Sequence, residues 1–265
     1  MLRLIKHWLE VAVIELIDGK PRRTNEAKHT HRGSAQGSVI SPLLANVYFR
    51  RFILTWEKFV YARRLHAKIV NYADDMVICC RPGSEEQAMV LMNGLMVRLG
   101  LTVNEEKTAL VKLPEQSLDF LGYNLGRQHD RHGKTYIGTQ PSKGAMKSII
   151  GKVHDETAIN MTWDTVEHRI AELNSILRGW AGYFDQGPVL KHYRILQRYT
   201  ERLIRRWLVN KHKRRGRSGY RLYPDAFLYG KLGLHQWPVR MADVSSAKAY
   251  RSRTKAGCVS SARPV

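Results

Sequence analysis

Lys68-Ile69-Val70-Asn71-Tyr72-Ala73-Asp74-Asp75-Met76-Val77-Ile78-Cys79-Cys80 sets two adjacent carboxylates between two apolar runs. Ile and Val favour a half-buried pleated surface and Asp is depleted there, so the stretch predicts two strands joined at the acids. Asp is also a common turn residue, because its side chain caps nearby N–H groups, and an isolated Asp-Asp in a loop has that ordinary explanation. Two features weigh against it. Both flanks are apolar, which seats the tip on a buried scaffold. The second residue of a tight hairpin turn is usually Gly, and Asp stands there instead. Adjacent carboxylates repel unless a cation lies between them. Mg²⁺ takes carboxylates together with substrate phosphates, and two such ions about 3.5–4 Å apart clamp the attacking and leaving oxygens of a phosphoryl transfer.

Outward from this hairpin the sequence alternates between element types. Ala88, Leu91, Met92, Leu95, Met96 and Leu99 repeat at helical spacing, Ser84 and Gln87 have the spacing of a capping box, and Gly100 ends the pattern. Upstream, Ser41-Pro42 opens a helix whose Leu44, Val47, Tyr48 and Phe52 share a face. Leu2–Leu16 reads as an earlier helix, Asp18 lies in a hairpin-turn context, and 24–38 reads as a basic loop. Leu101–Val103 and Ala109–Leu113 read as short strands. Helices on one face of a mostly antiparallel sheet make an α+β layer.

Beyond Tyr123 the pattern changes to a Gly-rich, basic stretch (126–144) and then to helices. Thr162 is the expected cap of a helix carrying Val166, Ile170, Leu173 and Leu177, and Pro188 opens another. On that last helix Tyr193, Leu196, Leu203 and Trp207 form one side. Lys191, Arg194, Arg198, Arg202 and Arg205 form a second stripe, followed by Lys211-His212-Lys213-Arg214-Arg215. A domain boundary is placed near 130–140. Residues 238–265 read as a basic tail without regular structure.

Composition limits the partners. The 265 residues carry a net charge of +21, and from Leu190 onward there are 19 Lys/Arg against three acids. That asymmetry favours a nucleic-acid partner. Three cysteines, two of them adjacent, exclude a disulfide framework and point to a reducing, cytoplasmic compartment. No apolar run approaches the ~18 residues of a membrane span, so no membrane partner is expected.

Tyr72-Ala73-Asp74-Asp75 resembles the Y-A-D-D box of reverse transcriptases encoded by group II introns. Gln36-Gly37-Ser38-Val39-Ile40-Ser41-Pro42-Leu43-Leu44-Ala45-Asn46-Val47-Tyr48 is similar to the family's Q-G-x-x-x-S-P-L-L-A-N-x-Y segment. Leu99–Thr108 is similar to its L-G-L-x-x-N-x-x-K-T segment, and Phe120-Leu121-Gly122-Tyr123 to its F-L-G-Y segment. Ile176–Phe184 resembles the L-R-G-W-x-x-Y-F core of the maturase domain, which grips intron RNA. Four polymerase boxes in order are specific where one alone is weak.

The resemblance implies a partial reverse-transcriptase palm (1–130), a helical thumb/maturase domain (131–237) and the basic tail (238–265). It implies RNA-directed DNA synthesis from an RNA template and a DNA primer with deoxynucleoside triphosphates, and binding of group II intron RNA to assist splicing, in a bacterial cytoplasm. Asp74 and Asp75 would be the catalytic ligands of Mg²⁺. Gln36, Gly37, Tyr72 and Ala73 would line the template and nucleotide pocket, and Leu121 and Gly122 would hold the primer. Lys107 is a phosphate contact or a solvated lysine. RNA would meet Lys191, Arg194, Arg198, Arg202, Arg205, Lys211, Lys213, Arg214 and Arg215. The family's upstream catalytic aspartate and its fingers have no counterpart in the sequence, so the two-ion site is expected to be incomplete, with a separate fingers/palm polypeptide as its complement. A maturase fragment that binds RNA without chemistry, or an inactive remnant, are the alternatives.

Overall fold

The computed structural model describes residues 3, 5–7, 14–17, 20–23, 39–58, 61–130, 132–214, 219–237 and 257–261. The fold is α+β. It divides into two units, residues 1–110 with 257–265, and residues 111–256.

In the first unit, β1 (Ile14–Ile17) and β2 (Lys20–Arg23) pair antiparallel with Ile17 opposite Lys20. The helix expected over Leu2–Leu16 therefore does not reach its end, because Ile14, Leu16 and Ile17 belong to a strand. Helix α1 (Ser41–Lys58) buries Phe52 and Trp56, with Phe49 and Ile53 packed beside them. The expected face was different. Val47 and Tyr48 are exposed, since the 49, 52, 53, 56 repeat takes the core side. A short helix α2 (Tyr61–Arg64) follows. Then β3 (Lys68–Tyr72) and β4 (Asp75–Cys80) form the predicted hairpin. Met76, Ile78 and Cys80, at period two, pack with α1 and with Ala88, Met92, Leu95 and Met96 of α3 (Glu85–Arg98).

The α3 stripe is as the sequence spacing predicts. Its cap is not: the Ser84 side chain makes no capping bond, and the backbone N–H of Gly83 donates to the Glu85 carboxylate at 2.7 Å. Residues 101–103 do not form a strand, although Leu101 and Val103 pack on the core. The sheet order is β3-β4-β9-β5, with β5 at Ala109–Lys112 and β9 at Gly257–Ser261. Strand β9 runs antiparallel to β4, Met76 opposite Ser261, so the stretch expected to lack structure supplies a strand. It is too short, at five residues, for its periodicity to stand out from the surrounding tail.

The second unit begins well before the expected boundary. Strands β6 (Leu118–Phe120), β7 (Tyr123–His129) and β8 (Thr135–Pro141) form an antiparallel sheet across the Gly-rich stretch in which that boundary was placed. Glycine hid it from sequence reading. Gly126 and Gly138 are cross-strand partners, and a Cβ on Gly138 would lie 2.7 Å from the Tyr136 ring. The hairpin tip is tied by Asp130, whose carboxylate accepts from the N–H groups of His132 and Lys134 at 2.8 and 2.9 Å. Helices α4 (Lys143–Glu156), α5 (Val166–Tyr183) and α6 (Leu190–Lys211) follow. Their core holds Ile149, Val153, Ile170, Leu173, Leu177, Leu196, Leu203 and Trp207. Thr165, not Thr162, caps α5, accepting from the His168 N–H at 3.3 Å. A short helix α7 (Gly219–Leu222) and a turn of π-helix at Phe227–Lys231 fold back on α6. No helix among the described residues is long and apolar enough to cross a membrane.

Candidate functional site

The β3–β4 register sets Tyr72 opposite Asp75, which leaves Ala73 and Asp74 as the whole turn. Ala73 has φ +50°, a left-handed conformation that costs a residue with a Cβ roughly 1–2 kcal/mol. Asn71 Nδ2 donates to the Ala73 carbonyl at 3.1 Å and holds it. Strain of this kind persists only where surrounding structure enforces it. Here the enforcing structure is the buried run Met76-Val77-Ile78. The result is an exposed Asp74 beside a half-buried Asp75, on a two-residue turn above a packed strand. Tyr72, next to them, is exposed. Adjacent carboxylates are hard oxygen donors, and one or two of them with water and substrate phosphates suit Mg²⁺. Among the described residues no group of three His, Cys, Asp or Glu side chains could hold a metal.

Gln36, Gly37 and Asp18 lie outside the described residues. Lys107 is exposed in a turn built by Asn104, whose side-chain and backbone oxygens each accept from the Lys107 N–H at 3.2 Å.

In the second unit Leu121 and Gly122 form a two-residue turn between Phe120 and Tyr123, with φ of +50° and +77°. Two positive values are the signature of the hairpin turn that matches strand twist. The end of α5 holds this turn. Tyr183 OH donates to the Leu121 carbonyl at 2.9 Å, Tyr123 OH donates to the Tyr183 carbonyl, and Ser142 N–H donates to the Gly122 carbonyl at 2.8 Å. A Cβ on Gly122 would sit 3.2 Å from the Phe184 ring. The Phe120–Tyr123 and Trp180–Phe184 motifs therefore form one packed cluster, with Trp180 and Phe184 rings 4.8 Å apart and Tyr123 and Phe184 rings 4.9 Å apart.

The basic stripe on α6 is only partly as expected. Lys191, Arg194, Arg198 and Arg202 are exposed, with the Arg202 guanidinium over the Tyr199 ring. Arg205 is not part of this face. It is 2% exposed, donates from Nε to the Tyr223 carbonyl at 2.8 Å, pairs with Asp225 and lies 4.3 Å from the Tyr220 ring centroid. Residues 219–229 cover that flank of the helix, which spacing within α6 alone does not show. The exposed stripe continues instead through Arg206, four residues from Arg202. Lys211 is also committed internally, its Nζ donating to the carbonyls of Thr162 and Asp164 at 3.0 and 2.5 Å. Lys213 and Arg214 are exposed beyond it, and Arg215 lies outside the described residues.

A cleft of about 960 Å³ brings Lys143 and Lys147 of α4 beside Lys191 and His192 of α6, with Asn124 and Gln140 of the sheet. Burial lowers the His192 pKa, with Lys191 adding to the effect. Lys143 and Lys147 escaped sequence reading because their partners in the cleft are on other elements. Their i, i+4 spacing was the available signal.

Residues 2–125 match the family model described as reverse transcriptase (RNA-dependent DNA polymerase). Residues 146–223 match the one described as group II intron, maturase-specific domain. No curated protein matches the chain. The first match contains the carboxylate turn and the second spans α5 and α6, with the motifs in the order the sequence gives them: this chain belongs to the family of group II intron-encoded reverse transcriptases/maturases.

Proposed function

We propose that the chain takes part in RNA-directed DNA synthesis through Asp74 and Asp75, and holds intron RNA on the exposed side of α6. The strained Ala73 turn carries the first half of this reading. It presents two carboxylates at a fixed height above a buried strand, and small errors of position are costly in such chemistry, with ~1 Å worth about 100-fold. Mg²⁺ held by Asp74 and Asp75 would supply charge stabilisation for nucleotidyl transfer. Tyr72 and Ala73 flank that position against the nucleotide and template. The Leu121–Gly122 turn, fixed by Tyr183 and Phe184, supports the primer strand. Lys107 offers an exposed charge to a phosphate. Two ions need more ligands than these two side chains provide, and the remainder would come from outside the described residues or from a second polypeptide.

Primer extension on an RNA template tests the reading, with the 265-residue chain alone and with an added fingers/palm segment of the family. Synthesis should be weak alone, rise with the added segment, and be abolished by Asp74→Ala while RNA binding stays within about twofold, as for a surface substitution outside the proposed RNA-binding residues. Synthesis that survives Asp74→Ala would sink it. A second reading is an RNA-binding maturase without chemistry, for which the exposed basic face of α6 suffices. It expects no synthesis in either mixture, with RNA binding intact.

A further inference from the structure

Trp163 is 78% exposed, whereas Trp56, Trp207 and Trp237 are buried at 1%, 0% and 4%. A lone exposed indole needs no explanation by itself; what marks Trp163 is the way its backbone is held. The backbone around it is held on both sides. Lys211 Nζ bonds the Thr162 and Asp164 carbonyls that bracket it. The Asp164 N–H donates to the Met161 carbonyl at 3.3 Å, and the Thr162 hydroxyl to the Ile159 carbonyl at 2.9 Å. The Asp164 carboxylate is tied in turn by Arg169 Nη2 at 2.6 Å, the His168 ring at 2.7 Å and the Thr165 N–H at 2.8 Å. Asp164 is thus paired with Arg169 and His168, and Glu156 shares the same arginine; Ile159 is also exposed, at 70%.

The surrounding charge identifies the ligand. Lys211 sits at the end of α6, and exposed Lys213 and Arg214 follow it with their backbone N–H groups bonded to the Asn210 and Val209 carbonyls. An exposed indole on a pinned backbone, which the basic end of α6 meets through Lys211, matches the way unpaired nucleotides are bound, with a base stacked on an aromatic ring and its phosphates met by Lys and Arg. A regular RNA duplex offers no free base face to such a ring.

We infer that Trp163 is a stacking platform for an unpaired RNA base, with Lys213 and Arg214 on the adjoining phosphates. The inference rests on the RNA-binding reading above and adds a site distinct from the α6 stripe. The probes are an RNA hairpin with an unpaired adenosine loop and a blunt duplex RNA of the same stem. Trp163→Ala should melt like the parent, bind the hairpin about tenfold more weakly, and bind the duplex unchanged. Its salt dependence should keep the parental slope, because stacking releases no counterions. Trp163→Phe should retain most of the hairpin affinity. Unchanged hairpin affinity in Trp163→Ala, or an equal loss on both RNAs, would overturn the platform and leave the α6 stripe standing. Failure of the parent protein to bind either RNA would overturn both.

Discussion

Arg205 and Arg206 are neighbours in sequence and have opposite expected phenotypes. The Arg205 guanidinium is buried against residues 219–229, whereas Arg206 is exposed. Truncating Arg205 to Met removes the charged donor of the bond to the Tyr223 carbonyl, worth about 1.5–3 kcal/mol for a charge-assisted hydrogen bond. It removes a cation–π interaction with the exposed Tyr220, about 0.5–1 kcal/mol. The pair with Asp225 adds little, about 0–1 kcal/mol, because that carboxylate is 72% exposed. Glu201, 16% exposed and 3.7 Å away, loses a cation but keeps the Tyr229 hydroxyl and Gln197 as donors. The apolar replacement returns part of this through burial of its own side chain. The net expectation is a loss of about 3 kcal/mol, within the range for disrupted buried ion pairs. For a unit of this size that lowers the melting temperature by roughly 6–12 °C.

Urea unfolding of the full chain followed by tryptophan fluorescence reads the loss directly. Arg206→Gln should unfold like the parent and bind RNA more weakly with a flatter salt dependence. Arg205→Met should do the reverse at temperatures where it remains folded. A stable Arg205→Met protein with weakened RNA binding would refute the division of the helix into a buried and an RNA-facing arginine.

Replacing Arg194, Arg198, Arg202 and Arg206 together by Gln should weaken RNA binding and reduce the log–log salt slope by roughly 0.7–0.9 for each phosphate the helix no longer neutralises; an unchanged slope would make the stripe a solvated face. Phe184→Ala should cost about 3–5 kcal/mol, and Trp180→Ala the lower end of that range because its ring is only half-buried; a Trp180→Ala protein that melts like the parent yet loses RNA would assign the ring to base stacking. The Asp164 side-chain hydrogen bond raises the His168 pKa above 6.5, and the same bond holds Asp164 below 3.8. The His168 contribution is therefore complete below pH 6.5 and lost as pH rises through its raised folded value, while that of Asp164 is present above 3.8 and lost as pH falls through its lowered one. His168→Ala should narrow its stability gap from the parent on the alkaline side, as read by melting temperature against pH; a constant gap across that range would refute the coupling.

The polymerase half was legible where a local pattern was also the tertiary pattern. The apolar run after Asp74-Asp75 is buried as a run, and the 88–99 stripe packs one continuous helix face, so pattern and burial agree there. Sequence reading missed features that depend on remote neighbours. The face of α1 lay one step away from the expected one, and Arg205 was assigned to the surface because the segment that covers it begins at Gly219. The β7–β8 hairpin escaped for a different reason. Its cross-strand partners Gly126 and Gly138 and its polar exposed positions carry almost no hydrophobic alternation.

The domain boundary shows what this means for function. Phe120–Tyr123 belongs by resemblance to the polymerase and Ile176–Phe184 to the maturase, and sequence reading placed a boundary between them. In the fold the two are bound together: Tyr183 and Tyr123 exchange hydrogen bonds with each other's segments, Phe184 stands against Gly122, and Ser142 closes the turn from the start of α4. The turn read as a primer support is thus held by a helix whose other residues belong to the RNA-binding domain. A change in α5 reaches that turn and its flanking Tyr123 through two hydroxyl–carbonyl bonds and the ring contacts of Tyr183 and Phe184. Loosening Tyr183 to Phe removes the bond to Leu121 while keeping the ring, which makes the hydrogen bond, and not the packing, the separable link between the maturase helix and the polymerase turn.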